Sequence, residues 1–474
     1  MEIIGRKKEQ DILEKLSESS RPEFLVVYGR RRVGKTYLIK QYFNNRFSFY
    51  ATGLLKEKTK GQLAAFNQSL LKYGSKNKTR LENWFDAFSR LVELIDSGDI
   101  ARDLKTNKIV LFIDEAPWLD TPKSDFKSAL DYFWNTYAST NPDILLIICG
   151  SATSWIMNNI LKDKGGFYNR VTKKMLISPF TLNECNEYYK MNNIVFSDRQ
   201  IIESYMIFGG IPYYLNLLDK RLSLAQNVDE LIFSENGELH YEIDHLFSSL
   251  FKHSNIHNSV IDELAKKKKG ITRSELLERL DVKSGAGLTT ALGELEECGF
   301  IRKYYDYKQA KNNPIYQMID PFSLFAYEFL LKNKAKSWME YLNTPSYYSW
   351  CGYSFEILVL NHISLIKELL GISGVLSNEY SFTGTYNGKG AQIDLIIDRN
   401  DEVINLCEIK YSDGKYEIDK EYEENLINKI NVFKNCTNTK KGIRLTMITK
   451  DGLVHNEYSN LVVNEISFNE ILKQ

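Results

Sequence analysis

The sequence has little of the features that mark specialised classes of protein. Its 27 glycines and 9 prolines in 474 residues are too few for a fibrous or low-complexity chain. Its 61 basic and 61 acidic side chains cancel, so the whole protein has no net charge to attract nucleic acid, and only a local basic patch could do so. A chain of this length is expected to form about two to four domains.

Cysteines and long apolar runs are also scarce. No two of the 6 cysteines lie at CxxC spacing, which argues against a disulfide framework or a cysteine-based zinc site and favours reduced thiols. The N-terminus lacks the apolar stretch of a secretory signal. The longest apolar run, Ile144–Cys149, is far shorter than the about 18 residues of a membrane span. We therefore expect a soluble, cytoplasmic protein with no membrane partner.

Residues 1–180 alternate short apolar runs with amphipathic helical patterns. Such alternation predicts a parallel sheet that helices cover on both faces, an α/β fold. The expected strands are Phe24–Tyr28, Phe47–Ala51, Ile109–Asp114 and Ile144–Cys149, with Leu176–Pro179 at the edge.

The rest of the chain predicts three further domains. Residues 181–255 have helical periodicity, which indicates a small helical bundle. Residues 256–320 predict a winged helix, in which Thr272 caps the second of three short helices, Ser284–Cys298 is the third, and a hairpin follows. Residues 321–474 end in two short strands joined by a turn, a helix and a last strand, which predict a separate α/β domain.

A phosphate-binding motif lies between the first predicted strand and the next helix. The pattern G-x-x-x-x-G-K-[ST] lets backbone N–H groups wrap phosphates, while its lysine reaches the β- and γ-phosphates and its hydroxyl reaches Mg²⁺. The three arginines add positive charge there or form a solvated part of the loop. The residues predicted to contact nucleotide are Gly29, Arg30, Arg31, Arg32, Val33, Gly34, Lys35, Thr36 and the following Tyr37.

Two acids and a serine follow other strands of the same predicted sheet. Asp114, at the end of its strand, is placed to hold Mg²⁺ with Thr36, and Glu115 is placed to polarise the attacking water. Ser151 either contacts the γ-phosphate or the water, or caps the next helix. Arg170, after Gly166 and Tyr168, is either an arginine finger or a surface arginine.

These motifs together resemble the archaeal-type P-loop ATPase family, which is related to AAA+ proteins and grouped with the STAND signalling NTPases. The resemblance covers about residues 1–220 and rests on Gly5-Arg6 with Glu9, Gly29–Thr36, Leu111–Leu119, Gly150-Ser151-Ala152 and Gly209–Leu215. It implies that residues 181–255 form a lid, that Ile3, Ile4, Gly5 and Arg6 line the adenine, and that Pro212 closes over it. Gly209–Leu215 has no basic residue that could act as a second-sensor arginine. This departs from ring-forming AAA+ proteins.

The C-terminal region resembles the DUF234 domain, which often follows this ATPase and is similar to PD-(D/E)xK nucleases. The resemblance covers about residues 320–474 and rests on Pro321-Phe322 and Gly352–Ile409. Asp394 lies in one strand, and Glu408 and Lys410, two residues apart in the next, share a face. Two carboxylates can hold Mg²⁺, and a lysine can orient or deprotonate water.

The catalytic set that these residues predict is therefore Asp394, Glu408 and Lys410, and the metal ligands are the two carboxylates. Glu356, in a preceding helix, matches the acid that such nucleases carry on their first helix. The alternative is an edge strand with a surface ion pair, because many domains of this fold keep the shape without the activity.

The predicted function is an ATP-binding, Mg²⁺-dependent ATPase that couples its nucleotide state to the nuclease-like domain, with DNA as a candidate partner. The alternative is a STAND-type switch with slow turnover, whose C-terminal domain binds a protein partner or a second copy. The run Lys266–Lys269 is either a solvated helix end or a contact to DNA phosphate. Glu294, Glu296 and Glu297 argue against base reading by the third helix of the winged helix.

Overall fold

The computed structural model describes residues 3–151, 153–161, 167, 169–246, 254–280, 285–309, 313–332 and 336–473. Of the residues named above, Ala152, Gly166, Tyr168 and Ser284 lie outside this range. The chain divides into two compact units, Met1–Pro179 and Phe180–Gln474.

The first unit is built on a five-stranded sheet in the order β2-β3-β4-β1-β5, in which every pair is parallel. Both central strands β3 and β4 are buried along their whole length, which is why they are continuous apolar runs. The parallel α/β fold is therefore confirmed. The strands are β1 (Glu23–Tyr28), β2 (Phe49–Thr52), β3 (Ile109–Asp114), β4 (Ile144–Gly150) and β5 (Lys173–Leu176).

Helices cover this sheet and form its core with aromatic side chains. Trp84 is fully buried, and its ring lies 4.9 Å from that of Phe126. The helices are α1 (Lys7–Ser17), α2 (Lys35–Tyr42), α3 (Thr59–Lys72), α4 (Trp84–Asp96), α5 (Ala116–Leu119), α6 (Phe126–Thr136) and α7 (Thr153–Ile156); a 3₁₀ turn spans Ala138–Thr140 and a π turn spans Met157–Leu161.

The edge strand lies earlier than the expected Leu176–Pro179. β5 pairs with β1 from Lys173 to Leu176, and the last bond runs from the Ile177 N–H to the Tyr28 carbonyl at 2.8 Å. Only Met175 of the strand is buried. The apolar-run criterion misplaced this strand because an edge strand needs one apolar face only, and its exposed lysines protect the edge.

The second unit begins with helices, and no strand is assigned to the described residues between 180 and 246. Three of the helices begin with reciprocal capping boxes, at Thr181, Ser197 and Ser223, each of which binds the residue three positions later. The helices are α8 (Leu182–Met191), α9 (Asp198–Phe208), α10 (Pro212–Leu215), α11 (Leu224–Val228) and α12 (Glu242–Leu246), with a π turn at Asp229–Phe233.

The next part, here called the 254–318 segment, combines three helices with a small antiparallel sheet in the order β6-β8-β7. Thr272 accepts a bond from the Glu275 N–H, and its own N–H donates to the Glu275 carboxylate, as a capping box predicts. The elements are α13 (Ser254–Lys266), β6 (Ile271–Thr272), α14 (Arg273–Leu280), α15 (Gly285–Glu297), β7 (Ile301–Tyr304) and β8 (Ile315–Met318), with a 3₁₀ turn at Tyr307–Gln309.

The chain continues through three helices before its last sheet. These are α16 (Pro321–Ala326), which passes into a π turn at Tyr327–Lys332, α17 (Pro345–Asn361) and α18 (Ile363–Leu369). Glu356 lies in α17.

The second large sheet has the order β15-β13-β11-β10-β9. β9, β10 and β11 pair antiparallel, whereas β11, β13 and β15 pair parallel. The strands are β9 (Ser377–Tyr386), β10 (Lys389–Arg399), β11 (Val403–Lys410), β13 (Gly442–Thr449) and β15 (Val462–Ser467), with the short pair β12 (Tyr416–Glu417) and β14 (Leu453–Val454), the helices α19 (Lys420–Thr437) and α20 (Phe468–Ile471), and a 3₁₀ turn at Glu457–Leu461. Among the helices of the described residues, none combines the length and the apolar character that a membrane crossing requires.

Candidate functional site

The phosphate-binding motif forms a tight loop between β1 and α2. Gly29 has φ 139°, and a Cβ at this position would overlap the Ile177 carbonyl oxygen. Gly34, at the N-cap of α2, has φ 88°. Glycine adopts these angles without steric cost, so the two glycines of the motif are required by the backbone itself.

Lys35 is held inside this loop. Its side chain is only 6% exposed, and its ammonium donates to the carbonyl oxygens of Gly29 and Arg30, both at 2.8 Å. The charge is therefore buried but bound by neutral acceptors of the loop. An anion that enters the loop can take over this ammonium without separating an ion pair.

Thr36 and Asp114 face each other at the end of β3. The Thr36 hydroxyl lies 3.1 and 2.9 Å from the two carboxylate oxygens of Asp114. A hydroxyl and a carboxylate at this separation are oxygen donors of the kind that Mg²⁺ prefers. This pair fits the metal that the motif implies.

Glu115 follows with a left-handed backbone, φ 46° and ψ 41°. This turn directs its carboxylate to Ser151 at the end of β4, where it accepts the Ser151 N–H at 3.2 Å and the Ser151 hydroxyl at 2.9 Å. A non-glycine residue in this conformation is uncommon and often lies at a functional site.

The surroundings of Glu115 make it a stronger base than an ordinary carboxylate. Burial raises the pKa of Glu115 above the usual 4.5; Lys35 lowers it, Asp114 raises it, and the hydrogen bonds from Ser151 lower it, and the net result is a raised pKa. A carboxylate that titrates closer to neutrality takes up a proton from water more readily.

The N-terminal segment is tied to the loop. The Arg6 guanidinium donates to the Val33 carbonyl at 3.1 Å, and the Gln10 side-chain amide donates to the Gly5 carbonyl at 2.8 Å. Gly5 and Arg6 both have positive φ. The segment that the resemblance assigns to adenine therefore lies beside the loop that is assigned to phosphate.

The C-terminal carboxylates lie on neighbouring strands, as predicted from the hairpin. β10 and β11 pair through Leu395 and Cys407, and Asp394 and Glu408 each lie one residue beyond this pair. Together with Lys410 they line a cavity of about 520 Å³. Glu356 lines a neighbouring cavity of about 240 Å³ with Asp394.

Both carboxylates are already bound by groups of the protein. Glu408 accepts the Tyr422 hydroxyl at 2.6 Å and pairs with the ammonium groups of Lys429 at 2.7 Å and Lys410 at 3.2 Å. Burial raises the pKa of Glu408, but Lys429 and Lys410 outweigh this effect, so the pKa is lowered. Asp394 accepts a hydrogen bond from the Gln392 amide at 2.8 Å. It also pairs, at 3.1 Å, with the ammonium group of Lys269 from the 254–318 segment.

These contacts decide how a divalent cation would fit. Two carboxylates are suitable Mg²⁺ ligands, but a cation would have to displace ammonium groups that now neutralise them. Within the part of the chain that the structure describes, no group of three or more His, Cys, Asp and Glu side chains is spaced to hold a metal ion. The donor set is therefore limited to the predicted pair.

Three residues of this site were missed in the sequence: Tyr422, Lys429 and Lys269. Tyr422 and Lys429 are seven residues apart on α19, a spacing that places them on one helix face, so the predicted helix contained a usable signal. Lys269 carried no such signal, because it comes from a part of the chain 125 residues away from Asp394.

The part of the chain that contains the first site is similar to known ATPase domains. Residues 4–218 match the family model of an ATPase domain found predominantly in Archaea. The uncharacterized protein MJECL04 of Methanocaldococcus jannaschii is 24% identical over 424 residues, which cover 87% of this chain and 88% of that protein. The uncharacterized ATP-binding protein MJ0423 of the same organism is 42% identical over 44 residues, which cover 9% of this chain and 75% of that protein.

Solved structures also align with the chain. The Walker-type ATPase PABY2304 of Pyrococcus abyssi aligns with a TM-score of 0.47 and 19% identity, over 69% of this chain and 96% of its own. The ORC2 protein of Aeropyrum pernix, in ADPNP–ADP complexes, aligns with a TM-score of 0.44 and 13% identity, over 77% of this chain and 96% of its own.

Within residues 4–218, the structure brings together Lys35 with its loop, Thr36 with Asp114, and Glu115 with Ser151. The Arg170 guanidinium pairs with Asp131, so its role as an arginine finger stays a prediction. The other residues predicted to contact nucleotide differ in their exposure: Arg30 is buried, Tyr37 is exposed, and Ile3, Ile4, Arg31 and Arg32 are half-buried. Pro212 lies in α10 of the second unit.

Proposed function

We propose that this protein binds ATP in the loop between β1 and α2 and hydrolyses it with Mg²⁺. The observation that carries the proposal is the meeting of a buried lysine, a hydroxyl–carboxylate pair and a half-buried base at the carboxyl edge of one parallel sheet. The match of residues 4–218 to an ATPase domain supports it independently. In parallel α/β sheets, ligands bind at this edge.

Each group has a role that follows from its contacts. Lys35 neutralises the β- and γ-phosphates when their oxygens replace the loop carbonyls as acceptors. Thr36 and Asp114 would hold Mg²⁺, and the ion would supply charge neutralisation at the phosphates. Glu115 accepts a proton from the attacking water, and Ser151 keeps the Glu115 carboxylate oriented through two hydrogen bonds.

Two variants separate binding from hydrolysis. Lys35→Ala is expected to lose tight ATP binding, because the phosphates lose their buried counter-charge, whereas Glu115→Gln keeps binding and loses turnover. Calorimetry gives the dissociation constant and phosphate release gives kcat. Turnover at the parental rate in Glu115→Gln would show that another residue activates the water.

We further propose that the nucleotide state acts on a nuclease-like C-terminal domain, with DNA as the substrate, through a winged helix formed by the 254–318 segment. The polar cavity lined by Asp394, Glu408, Lys410 and Lys429 supports this, because it combines possible metal ligands with cations that suit a phosphodiester. If Mg²⁺ binds there, the carboxylates of Asp394 and Glu408 hold it, and the metal supplies charge neutralisation at the phosphate. The resemblance to DUF234 and PD-(D/E)xK domains points the same way.

A STAND-type regulator is the second candidate, and the ion pairs on Asp394 and Glu408 favour it, because they satisfy both carboxylates without a metal. In this case the C-terminal domain binds a protein partner or a second copy. ATP turnover with and without DNA, combined with cleavage assays on plasmid DNA in Mg²⁺, separates the two. DNA-stimulated turnover or cleavage favours the nuclease-coupled ATPase, and very slow turnover without cleavage favours the regulator.

A further inference from the structure

Lys269 is presented to the carboxylate site by a built turn. The Tyr304 hydroxyl donates to the Lys269 carbonyl at 2.6 Å. The preceding carbonyl, that of Lys268, accepts the Gln317 amide at 2.8 Å and the Tyr353 hydroxyl at 3.0 Å. These bonds fix the backbone from both the 254–318 segment and α17. The position of the Lys269 Cα is therefore determined by the fold, unlike that of a lysine on a free loop.

Glycine completes this turn. Gly270 has φ 86°, and a Cβ there would come within 2.7 Å of the Ile315 Cγ2 atom and the Tyr316 carbonyl oxygen. The Gly270 N–H closes the turn on the Lys267 carbonyl at 2.8 Å. The chain leaves α13 and enters β6 through a conformation that suits glycine only, and this conformation aims Lys269 at β10.

The four lysines of this run have different partners. Lys266 pairs with Glu263, Lys267 with Glu275 and Lys268 with Glu328, all of which lie outside the carboxylate site. Lys269 instead reaches the Asp394 carboxylate, with its ammonium 3.1 Å from Oδ1. Of the four consecutive lysines, Lys269 is thus the one that pairs with a carboxylate of the C-terminal site.

The Lys269–Asp394 pair lies where two cavities meet. Lys269, Thr383, Gln392 and Asp394 line both the cavity of about 520 Å³ that contains Glu408 and the cavity of about 240 Å³ that contains Glu356. The pair therefore borders both the cavity that contains Glu408 and the cavity that contains Glu356, the other two acids that the nuclease-like interpretation assigns to this centre.

We propose that Lys269 and a divalent cation compete for the Asp394 carboxylate, so that the 254–318 segment controls metal loading of the C-terminal site. The inference rests on the proposed metal-binding function of Asp394 and Glu408. The Lys269 ammonium group on Oδ1 repels a metal ion that binds the same carboxylate, so each lowers the apparent affinity of the other by the same factor. Any partner or nucleotide state that moves this segment then changes the affinity for metal.

The contact is weak enough to act as a switch. The Lys269 side chain is 56% exposed and that of Asp394 is 31% exposed, so solvent screens the pair. An ion pair of this kind changes a competing equilibrium by about fivefold at most through its own attraction. Removal of the positive charge also removes its repulsion of the incoming cation, so about fivefold is a reasonable estimate of the total effect.

The test is Mn²⁺ binding to the full-length, nucleotide-free chain, measured from the loss of the electron paramagnetic resonance signal of free Mn²⁺. The variants are Lys269→Gln, the matched control Lys267→Gln from the same run, and Asp394→Asn as the reference without the ligand. Circular dichroism and thermal unfolding establish that each variant is folded. The competition predicts that Lys269→Gln binds Mn²⁺ about fivefold or more tightly than the parent, while Lys267→Gln binds it as the parent does.

Three results would overturn the inference in different ways. If the parent and Lys269→Gln bind Mn²⁺ equally, and Asp394→Asn binds it more weakly, the metal site stands and the competition is wrong. If neither differs from Asp394→Asn at millimolar Mn²⁺, the metal-binding part of the proposed function fails, and the competition fails with it. Weaker binding by Lys269→Gln would also refute it, because the lysine would then support the metal site.

Discussion

Substitution of Ser151 by alanine isolates one hydrogen bond to the candidate base. The change removes the hydroxyl that donates to the Glu115 carboxylate at 2.9 Å and leaves the backbone N–H at 3.2 Å. Ser151 is only 4% exposed, so water does not readily replace the lost donor. The variant therefore leaves the base in place but loosens its orientation.

The size of the effect follows from the charge of the acceptor. A hydrogen bond to a charged group contributes about 1.5–3 kcal/mol. If all of it orients the base in the transition state, its loss lowers kcat by about 10- to 150-fold, since about 1.4 kcal/mol corresponds to a factor of ten. We expect the lower end, about tenfold, because the N–H bond remains. The dissociation constant for ATP should change little.

The same variant predicts a change in pH dependence. Hydrogen bonds from Ser151 favour the charged form of Glu115 and lower its pKa against the opposing effect of burial. Loss of the hydroxyl raises the pKa further, so a larger fraction of the base is protonated at a given acidic pH. The acidic limb of the kcat profile should move to higher pH.

Steady-state phosphate release between pH 5 and 9 measures both effects. Ser97→Ala is the matched control, because the Ser97 hydroxyl also donates a hydrogen bond, to the Leu94 carbonyl at 2.8 Å, but lies at the end of α4. A kcat within about twofold of the parent in Ser151→Ala, with an unmoved acidic limb, would refute the assignment of Glu115 as a base held by Ser151.

Three further variants test the surroundings of the two sites. Gly29→Ala should lower the free energy of unfolding by more than about 1 kcal/mol, measured by urea denaturation, because both φ and the Ile177 carbonyl oppose a side chain. Arg170→Ala should lower kcat more than ATP affinity if the guanidinium acts in the transition state. With metal chelated, Glu356→Gln should raise the thermal midpoint above that of the parent more at pH 8 than at pH 5. The reason is that burial and Asp394 raise the pKa of Glu356 to about 7.

The controls for these variants come from the same structure. Gly98 also has a positive φ but has open space around it, so Gly98→Ala should cost less than Gly29→Ala, and equal costs would exclude the steric overlap. Asp131→Asn breaks the ion pair of Arg170 without removing the guanidinium. Equal kcat in the parent, Arg170→Ala and Asp131→Asn would make the pair structural.

The direction of the pH effect expected for Glu356 follows from proton binding. A carboxyl whose pKa is raised on folding stabilises the folded state fully below the unfolded value of 4.5. This stabilisation is lost as the pH rises through about 7. Glutamine does not titrate, so Glu356→Gln does not show this loss. If the thermal midpoint changes between pH 5 and pH 8 as much in Glu356→Gln as in the parent, the burial of this carboxyl is contradicted.

The sequence predicts the first site well because its chemistry is local. The loop, the acids after β3 and the serine after β4 each follow a buried strand, and parallel strands bring their carboxyl ends to one edge. The criterion of a continuous apolar run identified β3 and β4, because both strands are buried along their whole length. It misplaced β5, in which Met175 is the one buried residue of four. It also missed β9, whose ten residues are mostly polar and include one buried residue, Phe382.

The second site was predicted in part because its ligands are partly non-local. The hairpin of β10 and β11 places Asp394 near Glu408, and this pairing could be predicted from two short apolar runs and a turn. Lys410 was predicted beside Glu408, and Lys429 was missed although its place on α19 gave a signal. Lys269 could not be predicted, because it comes from the 254–318 segment. Long-range pairing of charged side chains leaves no periodic signal in a chain that is 26% charged.

The two sites differ in what a ligand must displace. Lys35 is held by two neutral carbonyl groups, so phosphate oxygens, which are charged acceptors, are stronger partners than those it leaves. Glu408 and Asp394 are each held by an ammonium group, so a cation must break an ion pair before it gains a ligand. The nucleotide site is thus prepared for its anion, whereas the C-terminal site is closed by charges of the protein itself. Under the proposed competition, metal binding at the C-terminal carboxylates therefore requires a movement of Lys269, whereas phosphate binding at Lys35 requires no ion pair to break.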